Sequence, residues 1–127
     1  MLTPPARNTA LVDFCSNDYL GLADDPATAD ALARAARANG SGAAASPLID
    51  GRRRVHEALE RRISEWLGTE ATLLFSAGYA ANVGTISALV AADDEVHADR
   101  HIHASLIDGI RLAGARLKRF PHLDYER

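Results

Sequence analysis

Apolar and polar positions along this chain follow two rhythms, and the switches between them mark its elements. From Arg52 to Leu67 the residues Val55, Leu59, Ile63, Trp66 and Leu67 recur at helical spacing, with Gly68 as the stop. An earlier helix is predicted over "PATADALARAARAN", opened by Asp25-Pro26 and ended by Asn39-Gly40. Strands are predicted over 11–14, 71–75, 95–98 and 116–120, and helices over 79–91 and 104–113. "SNDYLGL" has the composition of a turn, and "GSGAAASPLIDG" that of a small-residue loop. From Ala71 onward the order is strand, helix, strand, helix, strand. That order predicts an α/β fold with parallel strands and crossover helices. Ligands of such sheets sit at the carboxyl ends of the strands.

One switch of rhythm carries candidate chemistry. In "TLLFSAGYAANVGTISALV" a strand pattern breaks at Ser76-Ala77-Gly78-Tyr79 and restarts at once as a helix. The first N–H groups of a helix lack partners, and its dipole places partial positive charge there. Gly78 lets the backbone approach a ligand closely, so the turn suits a phosphate. A purely structural explanation is that Gly78 relieves a tight turn. No Walker motif or GxGxxG is present, so nucleotide binding has little support.

Composition narrows the classes. The 127 residues are 47% hydrophobic and 24% charged, which is ordinary globular composition with length for one domain at most. The formal net charge is -3 and no basic face is apparent, which argues against nucleic acid as a partner. No apolar run reaches the length of a membrane span, and "MLTPPARNTALVDF" lacks the pattern of a signal peptide. Cys15 is the single cysteine, so no internal disulfide or cysteine-based zinc site can form. A reducing, cytoplasmic setting is expected, with Cys15 as a small core residue. Arg52-Arg53-Arg54 places positive charge where a helix dipole opposes it. A solvated surface and a contact to an acidic partner subunit are both open explanations.

Histidines form a second candidate. "EVHADRHIHASL" spaces His97, Asp99, His101 and His103 at period two, which on one strand face would offer a metal site. Asp99-Arg100 reads as the strand's end and "HASLIDGI" as a helix start, so the alternation breaks before His103. No metal is assigned. The remaining readings are polar residues at a strand end, or one histidine, best His103, presenting its ring to a ligand held at the Gly78 turn.

Taken together, "FCSNDYLGL", "GSGAAASPLIDG…VHEALE", "WLGTEATLLFSAGYAAN" and "DRHIHASLIDG" resemble, in that order, the amino-terminal part of the α-oxoamine synthases. These are pyridoxal 5'-phosphate (PLP) enzymes of the type I aminotransferase fold. The resemblance runs from about Val12 to Phe120. It implies a homodimeric acyltransferase that condenses an amino acid with an acyl-CoA or acyl-carrier thioester and releases carbon dioxide. L-alanine and a pimeloyl thioester of biotin synthesis are favoured. Glycine C-acetyltransferase, 5-aminolevulinate synthase and serine palmitoyltransferase share the layout. A non-catalytic fragment or partner subunit is the reading from another class. By the resemblance, Gly78 and Tyr79 bind near the cofactor phosphate, Tyr79 also packs beside the ring, and Asn82 in the same helix's first turn is a further cofactor-binding residue. His103 stacks on its ring and touches substrate as a catalytic residue, and Asn17 and Tyr19 line the substrate side. Residues 1–25 would form an amino-terminal arm, and 26–127 an incomplete PLP-binding large domain. The family's Schiff-base lysine and its pyridinium-pairing aspartate fall beyond Arg127, and Lys118, the single lysine, lies outside any lysine motif of the family. The chain alone is therefore expected to be inactive and loosely packed.

Overall fold

The computed structural model describes residues 14–124. The expected strand over 11–14 lies largely outside them, and Phe14 itself is in no strand. The element order is α1 (Pro26–Asn39), α2 (Arg54–Leu67), α3 (Gly78–Leu89), β1 (Glu95–Asp99), α4 (Ala104–Ala113) and β2 (Arg116–Phe120), with one π-helical turn at Pro47–Gly51. The chain divides into two compact units, Met1–Val55 and His56–Arg127.

The first unit is organised by local capping. Asp18 accepts the N–H of Leu22 at 2.8 Å and of Ala23 at 3.2 Å, which closes the "SNDYLGL" turn. Asp25 caps α1 by accepting the Thr28 N–H at 2.9 Å, with Pro26 at the first helical position. The arginine run finds a local reason here. Helix α2 starts at Arg54, two residues later than the pattern suggested, and Arg53 reaches back to the Asn39 carbonyl at the end of α1. A cation at a helix carboxyl end meets the favourable pole of the dipole. Cys15 is exposed, not a core residue. Phe14, Tyr19 and Leu20 around it are exposed too, so this segment has no core to enter.

The second unit holds the sheet. β1 and β2 pair in parallel with Glu95 opposite Arg116 and Asp99 opposite Phe120. Their crossover is α4, whose end is fixed by Gly114 at φ 75°, a left-handed residue that glycine adopts without a Cβ penalty. Ile110 of α4 and Ala98 of β1 are the buried apolar residues among those described. Helix α3 packs on α4 at Gly109. A Cβ there would stand 2.9 Å from Ile86 Cβ and 3.3 Å from Val83 Cα.

The expected strand over 71–75 is not in a sheet, because no strand among the described residues lies beside it. Side chains of α2 take its polar groups instead. Buried Glu60 accepts the Leu74 N–H at 3.2 Å, and Ser64 and Thr72 share a hydroxyl hydrogen bond of 2.8 Å. The apolar side chains nearby stay in water, with Trp66 81% and Leu73 71% exposed.

The far end of the sheet is locked by Asp99. Its carboxylate accepts the His101 N–H at 2.7 Å, the Leu123 N–H at 3.0 Å and the His122 ring at 3.0 Å. These donors, the His101 N–H foremost, hold the Asp99 carboxyl down at about 2.

Two outcomes follow. Gly109→Ala forces α4 off α3 and destabilises the second unit by about 1–3 kcal/mol, read by urea denaturation; an unchanged midpoint would show that the helices have slack. Because Asp99 titrates lower when folded than when unfolded, its contribution is present above about pH 4 and is lost as pH falls toward about 2. Asp99→Asn should flatten the pH dependence of the unfolding midpoint across that window.

Candidate functional site

The amino-terminal ends of α3 and α4 lie together in the second unit, and their own side chains join them. Asn82 of α3 donates its amide to Ser105 Oγ of α4 at 2.9 Å. The Ser105 N–H donates to His103 Nδ1 at 3.2 Å, which makes the imidazole the cap of α4. Ser105 Oγ also lies 2.6 Å from that nitrogen. A ring nitrogen that accepts carries no proton, so one arrangement satisfies every group. The Asn82 amide donates to Ser105 Oγ, the Ser105 hydroxyl donates to His103 Nδ1, and the ring proton sits on Nε2. Ser105 has no exposed surface, so water cannot replace either partner. His103 itself is exposed. The relay therefore presents a ring with an oriented donor at its outer edge.

Tyr79 is positioned from the same helix pair. Its hydroxyl donates to the Asp108 carboxylate in a short hydrogen bond, and Arg111 lies 3.6 Å from Asp108. That acceptor raises the phenol above its ordinary range, so the proton stays on Tyr79. The ring is half exposed beside Gly78.

The start of α3 is open. Ala77 precedes it and no side chain caps it. Gly78 is not in the left-handed region, so turn geometry does not demand glycine there. A Cβ at Gly78 would meet nothing within 4 Å. What glycine supplies is room in front of unpaired N–H groups at the positive pole of a helix, which suits an anion of phosphate size.

Four of the expected site residues, Gly78, Tyr79, Asn82 and His103, thus belong to one helix pair. Asn17 and Tyr19 belong to the first unit, on either side of Asp18 in its turn, and both are exposed. Sequence reasoning did not single out Ser105 or Asp108. The signal was present in "HASLIDG": a serine two residues after a capping histidine, and an acid at the next helical turn.

Removing the serine hydroxyl tests the relay. Ser105→Ala leaves the Asn82 amide without its acceptor and costs about 1–3 kcal/mol. Nitrogen-15 NMR of the imidazole should show His103 as the Nε2–H form in the parent and as a tautomer mixture in the variant. The same tautomer ratio in both would mean that Ser105 only packs.

The sequence profile described as aminotransferase class I and II matches residues 9–127. An 8-amino-7-oxononanoate synthase of Alkalilimnicola ehrlichii is 53% identical over 121 residues, 95% of this chain and 31% of that protein. The solved 8-amino-7-oxononanoate synthase of Francisella tularensis superposes with a TM-score of 0.78 at 28% identity, covering 92% of this chain and 32% of that one. A serine palmitoyltransferase variant from S. paucimobilis, solved with a bound PLP–myriocin aldimine, superposes with a TM-score of 0.77 at 35% identity, over 82% of this chain and 26% of its own. The chain spans about a quarter to a third of the length of these relatives. Profile and fold agree, and the chain belongs to the class I and II aminotransferase family.

Proposed function

We propose that this chain is the amino-terminal part of a PLP-dependent acyltransferase that joins L-alanine to a pimeloyl-type acyl thioester with loss of carbon dioxide. One observation supports it above the others: the open start of α3 and the oriented His103 ring belong to one helix pair, inside a sequence 53% identical to an 8-amino-7-oxononanoate synthase. PLP, when bound, supplies the electron sink for a carbanion. The residues present fit it. Gly78 and Tyr79 would hold its phosphate through backbone N–H groups, with Asn82 holding Ser105 in place behind them. His103 would cover the cofactor ring and offer its Nε2–H to the substrate. Tyr79, kept protonated by Asp108, would pack at the ring's edge. Asn17 and Tyr19 are proposed substrate contacts on the family motif alone.

In this reading residues 26–127 contribute to the PLP-binding large domain of a cytoplasmic homodimer, with 1–25 as an arm. Among the described residues no helix is long and apolar enough to cross a membrane. The likeness to serine palmitoyltransferases supports a second reading within the family, in which serine or glycine replaces alanine.

The test begins with the reading frame after the Arg127 codon. The proposal expects it to continue into an Asp-x-x-His segment and then a lysine motif. The encoded protein, assayed with alanine, glycine and serine against pimeloyl thioesters, should release carbon dioxide fastest with alanine. Preference for serine or glycine would move it to the second reading. A clean stop with no such segment would leave a non-catalytic partner, checked by co-purification with a full-length relative.

A further inference from the structure

The fold assembles a histidine cluster that differs from the one spaced along the sequence. His97 points to Glu95, with Nε2 2.9 Å from its carboxylate. His103 is committed through Nδ1 to Ser105. His122, from the turn after β2, joins Asp99 and His101 instead. One ligand atom from each of these three residues lies within 4.8 Å of the other two.

We propose that Asp99, His101 and His122 form a binding site for a divalent transition metal, zinc being the best fit. The donor set is two imidazole nitrogens and one carboxylate oxygen, which suits zinc and its neighbours rather than magnesium or calcium. Zinc ligands at their usual bond lengths stand roughly 3.4 Å apart around a tetrahedron. The His122 Nδ1 and Asp99 Oδ2 atoms are 3.0 Å apart, near that spacing, and a metal there would displace the proton they share.

The scaffold is stiff where a metal site needs it to be. The β1–β2 register sets Asp99 opposite Phe120, and the Arg100 N–H donates to the Phe120 carbonyl at 3.0 Å. Backbone donors from His101 and Leu123 aim the carboxylate. The Asp124 N–H donates to the Pro121 carbonyl at 3.0 Å and closes the turn that carries His122. The two imidazoles stack with centroids 4.5 Å apart and planes at 30°, and each brings a ring nitrogen near the carboxylate. Such outer bonds orient ligands before the metal arrives. Both rings are exposed, which leaves an entry path and open coordination positions for water. Arg100 lies between two of the ligands in sequence, and its positive charge weakens the affinity for a cation.

The experiment is titration of the chelator-treated protein encoded by the whole reading frame with zinc by calorimetry and with cobalt by visible absorption. Far-UV circular dichroism accompanies each variant. One equivalent is expected to bind, with tetrahedral cobalt bands. His101→Leu and His122→Asn, both surface changes, should each weaken binding more than about tenfold with unchanged dichroism. His97→Gln should leave it unaltered. No binding at millimolar zinc would overturn the site. So would undiminished binding in either ligand variant, or equal weakening by His97→Gln.

Discussion

The closeness of α3 to α4 at Gly109 governs the rest of the second unit. With Val83 and Ile86 where a side chain would go, the two helices approach as nearly as their backbones allow. Only at that separation can an amide as short as that of Asn82 reach the Ser105 hydroxyl, or the Tyr79 ring reach Asp108. The site geometry is thus a consequence of a missing methyl group in a packed interface, well removed in sequence from the residues that would meet a ligand.

Much of this was legible from periodicity. Helices α1 and α4 and strands β1 and β2 appear within a residue or two of their expected bounds, because each carries its own caps or alternation. The small-residue break at Gly78 also marked the open start of α3. What escaped depends on partners distant in sequence. The 71–75 segment has a strand's composition, but a strand exists only through its neighbour, and here Glu60 and Ser64 supply the bonds. Cys15 carried a core residue's character into a segment with no core around it. Arg53 looked unfavourable while only its own helix was considered; its partner is fourteen residues earlier. Ser105 was hidden because a serine's role is set by which groups surround it, and periodicity cannot report that.

The distribution of apolar surface fits a chain that holds part of a larger architecture. Trp66, Leu73 and Leu67 stay in water, while the sheet keeps two strands among the described residues. A parallel sheet is normally covered on both faces. The polar bonds of Glu60 and Ser64 tie the 71–75 segment to α2 without a strand beside it.

The Arg53–Asn39 contact has a meaning for the loop it spans. Residues 40–52 hold the "GSGAAASPLIDG" segment, whose small side chains give it little packing of its own. Holding the ends of such a loop together costs about 2 kcal/mol of chain entropy or more. Here a guanidinium set on a helix carboxyl end spans it. Attraction of that kind fades as dissolved ions screen it. The order of this loop is therefore coupled to ionic strength, and the segment behaves as a clasp that dilute solution fastens and salt loosens.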